Sequence, residues 1–298
     1  MRYEVVHVTA YAYGESVPLC HNVARLRPRD TDRQTCLRHE LIVSPSPVLF
    51  RERIDFFGNP VTSFSVQNSH RELSVTARSE VEVQPPSGPA GLFPMSWEEA
   101  SGILSTGRDP ESRLARQYTF DSPHVRRDPA LAEYAAPSFP PGRPLAEAVL
   151  DLTRRIREEF VFEKGWTAVG TPALEVLRSC KGVCQDFAHL QIGCLRSLGL
   201  AARYVSGYIV TEPPPGKPRQ PGADASHAWV SAFVPGTGWL DVDPTQGRAA
   251  EEDHLTVAWA RDYGDVAPLK GILLGGPQQS LRVAVDVVPI TEADPSPT

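Results

Sequence analysis

The apolar pattern of the chain changes period at Pro144, and that change limits the fold more than any other feature. Leu37, His39, Leu41 and Val43 share one parity, as do Leu73, Val75 and Ala77, and then Val81 and Val83. Alternation of this kind belongs to half-buried antiparallel strands. Beyond Pro144, by contrast, Leu145, Val149, Leu152, Ile156 and Phe160 follow one another at three or four residues, and proline is tolerated in a first helical turn. Strands first and helices later predict an α+β chain with two hydrophobic cores.

The 298 residues are enough for two such units. Residues 1–84 read as an N-terminal antiparallel β domain, a sandwich or packed sheet, in which Phe57-Gly58-Asn59-Pro60 turns the chain. Residues 85–143 read as linker and short helices. Pro85 to Gly91 has linker composition, Ser96 and Glu99 have capping-box spacing, and prolines from Pro110 to Pro141 forbid a long helix. Residues 144–290 form the expected core, with a C-terminal strand marked by Leu281, Val283, Val285 and Val287; residues 291–298 read as a disordered tail.

A formal charge of −6 and the lack of any basic block argue against nucleic-acid binding. The first residues lack the layout of a secretory signal, and no apolar run reaches the roughly 18 residues of a spanning helix, so a cytoplasmic protein without membrane contact is expected. Cys20, Cys36, Cys180, Cys184 and Cys194 make an odd set without framework spacing, which suits reduced thiols. His7, His21, His39 and His70 are scattered through the β region without ligand spacing and read as ordinary strand or turn residues.

The stretch Lys181 to His189, KGVCQDFAH, opens a second helix whose apolar face is Phe187, Leu190, Cys194, Leu195 and Leu198, with Gly199 as its stop. Cys184 falls in the first turn, where unpaired N–H groups and the positive end of the helix dipole favour a thiolate. Downstream, Ala202 to Val210 reads as a strand, and Thr211 to Ser226 as a rim or lid loop that delivers the chain to His227. His227 begins one strand of a hairpin and Asp243 ends the next, so pairing brings them to one end of a sheet. A regular two- or four-residue loop would pair Val230 with Asp243 and leave His227 on the opposite face. A shared face therefore requires an extra residue, such as a bulge at Gly238.

The stretches GVCQDFAHL, ARYVSGY, GADASHAWV and GWLDVDPT resemble the transglutaminase-like core, a papain-like cysteine-enzyme fold with a catalytic helix packed on an antiparallel sheet. YEVVHVTAYAYGESV, ARLRPRD and ERIDFFGNPVTSF are similar to the β-rich domain that precedes this core in its bacterial two-domain branch. By the family motif, Cys184 matches the nucleophile, His227 the base and Asp243 the orienting acid. The resemblance implies cysteine-dependent amide hydrolysis of protease or peptidase type through a thioester, on a peptide, protein or amide-linked small molecule. The alternatives are acyl transfer to an amine and a catalytically idle binding scaffold. Asp241 shares the face of Asp243 and leaves a swap of roles open, although the motif favours Asp243.

No cofactor or metal is expected. The chain has no EF-hand-like loop for calcium, and Cys180, Cys184 and His189 or His227 fit no standard zinc spacing. Asp186 and His189, three residues apart, read as a structural pair. Trp229, Trp239, Tyr204 and Tyr208 read as core or cleft wall.

Overall fold

The computed structural model describes residues 1–85, 94–211, 226–275 and 278–290. The 211–226 loop, the 85–91 linker and the 291–298 tail lie wholly or almost wholly outside the described residues. The first six strands are β1 (Arg2–Val17), β2 (Leu19–Ala24), β3 (Gln34–Ser44), β4 (Leu49–Ile54), β5 (Pro60–Val66) and β6 (His70–Val83). Three short helices follow: α1 (Trp97–Thr106), α2 (Pro110–Ala115) and α3 (Pro129–Ala135). The first has the expected capping box, with the Glu99 N–H donating to Ser96 Oγ and the Ser96 N–H to the Glu99 carboxylate.

The long helix α4 (Leu145–Glu159) leads through β7 (Val161–Phe162), α5 (Ala173–Ser179) and β8 (Lys181–Gly182) into α6 (Cys184–Ser197). The core strands come next: β9 (Ala202–Ile209), β10 (Ser226–Val234), β11 (Gly238–Asp243), β12 (Arg248–Ala249) and β13 (His254–Ala260). A single turn, α7 (Tyr263–Val266), precedes β14 (Leu269–Leu274) and β15 (Gln279–Pro289).

Two four-stranded sheets, in the orders β15-β1-β6-β3 and β14-β2-β5-β4, face each other over Tyr13, Val17, Cys20, Phe64, Val66, Leu73 and Val75. This is the N-terminal antiparallel sandwich that the alternation predicts. The last strand departs from expectation. Instead of joining the core, β15 pairs with β1 from Tyr3↔Pro289 to Tyr13↔Gln279, and β14 pairs with β2, so the chain returns to finish both sheets. Alternation marks a half-buried strand but does not say which sheet it joins.

The core sheet has the order β12-β11-β10-β9-β13. Its even-numbered positions, Ala202, Tyr204, Ala228, Val230, Ala232 and Val242, share one buried cluster with Phe187, Leu190, Cys194 and Leu195 of α6 and with Leu145, Val149, Leu152 and Ile156 of α4. Each large aliphatic or aromatic side chain buried there contributes about 1.5–3 kcal/mol. Gln191 Nε2 donates to Thr153 Oγ1 at 2.7 Å, joining the two helices across this core. Tyr3, Val5, Val81, Val83, Val285 and Val287 of the first sheet pack into the same cluster, so the sandwich is built onto the core.

Candidate active site

The site begins at the turn into α6. Asp186, 2% exposed, accepts the Val183 N–H at 2.8 Å and the Thr167 hydroxyl at 2.6 Å. A carboxylate in the third helical position that reaches back in this way caps the helix and fixes the angle at which the chain enters it. Burial raises the Asp186 pKa, against the two hydrogen bonds, which lower it. A Cβ on Gly182 would lie 2.8 Å from Asp186 Cβ, so the turn closes only around a glycine. Cys184, half-buried, is thereby held in the first turn with the unpaired backbone donors of the helix start around it.

Asp186 consequently does not bond His189. The His189 ring is buried, its Nε2 accepts the Tyr263 N–H at 3.2 Å, and burial lowers its pKa to about 3. Gln185 is also committed elsewhere: its Nε2 donates to Val169 O at 2.9 Å. Trp166 is 53% exposed and lies under Lys181, whose Nζ is 4.7 Å from the ring centre.

His227 and Asp243 meet because the hairpin loop has an odd length. Val234 pairs with Gly238 and Val230 with Val242, which leaves Pro235, Gly236 and Thr237 between the strands. Gly236 at φ 76° and Gly238 at φ 107° supply the left-handed backbone of such a loop. The extra residue shifts Asp243 onto the face of His227. His227 Nε2 lies 2.7 Å from Asp243 Oδ2, with the carboxyl side chain fully buried and the ring 8% exposed. The Cys184 side chain is a second hydrogen-bond partner of the ring. Burial opposes the imidazolium, but hydrogen bonds to Asp243 and Cys184 and their negative charges outweigh it and raise the His227 pKa to about 10. Asp243 moves the other way, well below the usual carboxylate range: burial raises its pKa, but the two histidines it faces lower it further.

The second of these is His254, which the sequence reading did not single out. Its Nε2 lies 3.1 Å from Asp243 Oδ2 and its Nδ1 2.8 Å from Asp253 Oδ1. Strands β11 and β13 stand three places apart in the sheet, about 14 Å if it were flat. A bulge at Val257 shifts the β13–β9 register, and the 250–253 segment is tied to β11 through Ala250 N to Asp241 O and to the end of β9 through Val210 N to Asp253 O. The sheet curls enough to bring the start of β13 to the end of β11. No local pattern announces that curl.

His227, Asp243 and His254 hold ligand-type atoms within 4.8 Å of one another, but these atoms already bond each other at 2.7 and 3.1 Å, the spacing of shared protons rather than of a coordinated ion. Among the described residues Cys180 joins no such group; it is exposed, and its Sγ reaches Leu177 O. Trp229, Tyr204 and Tyr208 are buried core residues. Asp241 pairs in register with Ser231 and faces a cavity of about 800 Å³, lined also by Arg203, Trp229, Trp239, His254 and Trp259. Cys184 is not part of that lining, so the candidate site is marked by its chemistry and not by the cavity.

Two family models match the chain: the bacterial transglutaminase-like N-terminal region over residues 3–82 and the transglutaminase-like superfamily over residues 133–244. An uncharacterized protein of Mycobacterium tuberculosis is 42% identical over 298 residues, covering 97% of this chain and 93% of that one. A second, from Mycobacterium leprae, is 35% identical over 96% of this chain and 98% of its own. A protein-glutamine gamma-glutamyltransferase of Pseudomonas aeruginosa is 30% identical over 188 residues, 61% of this chain but 27% of its own length. The same fold occurs in the crystal structure of a candidate cysteine protease from Cytophaga hutchinsonii, with a TM-score of 0.77 at 20% identity over 98% of this chain and 92% of that one. Sequence motifs, fold and relatives agree: the chain belongs to the transglutaminase-like superfamily, in the bacterial branch that carries its own N-terminal β region.

Proposed function

We propose that the protein is a cysteine-dependent amide hydrolase of protease or peptidase type, with Cys184 as nucleophile, His227 as general base and acid, and Asp243 as the group that orients His227. The observation that carries this reading is the buried 2.7 Å bond from Asp243 to one nitrogen of a histidine whose pKa is also raised by Cys184. A carboxylate there fixes the tautomer and holds the ring toward the sulfur. The Cys184 sulfur attacks the amide carbon, the His227 proton goes to the leaving amine, and a thioester remains. Water, losing a proton to His227, then releases the acid and restores the thiol. The backbone N–H of Cys184 at the helix start is the donor proposed for the oxyanion.

A second reading is acyl transfer, in which a primary amine takes the place of water. It is favoured by the similarity to the glutamyltransferase of Pseudomonas aeruginosa. The substrate proposed is a peptide, protein or amide-linked small molecule, with no nucleic acid and no membrane surface. No helix among the described residues is long and apolar enough to cross a membrane. Five free cysteines, two of them buried, support a reducing, cytoplasmic setting.

Iodoacetamide labelling tests the nucleophile. Cys184 is expected to react at neutral pH faster than the more exposed Cys180; equal or slower reaction would sink this reading. With a substrate trapped as the thioester, mass spectrometry after addition of a primary amine separates free acid from amide adduct. Unchanged turnover in Cys184→Ala would overturn the nucleophilic role of Cys184, whereas no turnover in the wild type would leave the binding scaffold as the better account.

A further inference from the structure

We infer that His254 is a positioning residue for this chemistry: clamped between Asp253 and Asp243, it fixes the carboxylate that orients His227. The inference rests on the nucleophilic reading of Cys184.

Asp243 is held from three directions. Oδ1 accepts the backbone N–H groups of Thr245 and Gln246 at 2.8 and 3.2 Å, while Oδ2 accepts from His227 at 2.7 Å and from His254 at 3.1 Å. The first pair belongs to the turn after β11, the others to β10 and to β13 at the far edge of the sheet. Without His254, Oδ2 would have one donor and the carboxylate could swing about its bonds to the turn. A triad needs its carboxylate in one place, because the direction of the imidazole follows from it.

The charge of His254 follows from geometry. Both ring nitrogens face carboxylate oxygens, which have no proton to give, so both must donate. The Glu251 N–H lies 3.3 Å from Nδ1, farther than the 2.8 Å to Asp253, so the carboxylate takes precedence. Burial opposes the charge, and the hydrogen bonds to Asp243 and Asp253 restore it, raising the pKa. Arg248 pairs with the other oxygen of Asp253, which keeps that carboxylate in place. Among the described residues its ring contacts are Trp229, edge-on at 5.2 Å, and His227, 6.1 Å between ring centres. The full line is Cys184, His227, Asp243, His254, Asp253, Arg248. Its signs alternate when the sulfur is a thiolate.

His254 also ties β13 to β11 across the curled sheet, so loss of stability alone would not establish positioning. The test compares wild type, His254→Leu and His254→Gln by the rate of Cys184 alkylation with iodoacetamide across acid to alkaline pH, after circular dichroism and melting temperature confirm folding. Leu removes donor and charge. Its alkylation is expected to rise only at higher pH than in wild type and to fall about tenfold at neutral pH, the scale on which outer hydrogen-bond partners act. Gln keeps one donor and is expected to recover most of the rate. A folded Leu variant whose profile overlays the wild type overturns the inference while leaving the nucleophile standing; slow wild-type labelling overturns both. Should the Leu variant fail to fold, nitrogen-15 NMR of wild-type histidines decides. A His254 ring protonated at both nitrogens at neutral pH is expected, and a neutral ring overturns the inference.

Discussion

The sandwich and the core both bury histidines, with opposite results for His7 and His227, while His189 of the core, with a backbone N–H for its partner, is lowered like His7. In the sandwich, His7 is 2% exposed and its ring nitrogens meet hydroxyls, Tyr208 Oη at 3.0 Å and Thr9 Oγ1 at 3.0 Å; burial pushes its pKa down to about 4. His39 beside Ser79 is likewise lowered to about 4, by burial and then by the charge of Arg27. In the core, His227 is nearly as buried but faces Asp243, and its pKa rises to about 10. Burial alone therefore removes the proton from a histidine here. A buried carboxylate in contact reverses the outcome.

The sharpest way to break this contrast is Asp243→Asn, which keeps the shape but gives His227 a neutral partner. Turnover is expected to fall by at least about a thousandfold, as wrong-tautomer variants of catalytic triads do. Activity within tenfold of wild type would mean that Asp243 does not orient the base.

The contrast also predicts opposite pH responses of stability. His227 has a folded pKa above its unfolded value of about 6.5, so its contribution is complete below that pH and is lost as pH rises toward about 10. His7, with a lowered pKa, contributes above about 6.5 and loses that contribution as pH falls toward about 4. Urea titrations should show His7→Gln losing less stability than wild type between neutral pH and pH 5, by about 1–2 kcal/mol. Equal acid losses in the two proteins would contradict the assignment.

The smallest expected effect on the chemistry lies in the loop that sets the register. Gly238→Ala places a side chain at φ 107°, at a cost of about 1–3 kcal/mol. A drop of a few degrees in melting temperature is expected, with Cys184 alkylation nearly unchanged if the register holds. A large loss of alkylation with little loss of stability would show that the register itself had slipped.

How much could be read beforehand depended on whether the physics was local. The α6 helix was legible because its apolar face and the Gly199 stop lie within one short stretch. The meeting of His227 and Asp243 was legible only conditionally: parity showed that an extra loop residue was required, and the loop does have three. Asp186 was assigned to His189 by helical spacing, yet it sits at the helix start, where the free Val183 N–H is the stronger claimant. His254 was missed because a sheet's curl arises from a bulge and backbone ties, which leave no periodic trace. The alternation of β15 was plain, but its partner lies at the opposite end of the chain.

That last pairing bears on how the molecule is made. Strand β1 lies between β6 and β15, and Tyr3 meets Pro289. While the ribosome is still working through the core, one side of the earliest strand has no neighbour and is open to pairing with another nascent chain. The sandwich supporting the core is completed only when β15 has emerged, so a chain cut short before it would carry every residue of the proposed machinery and still lack a finished foundation.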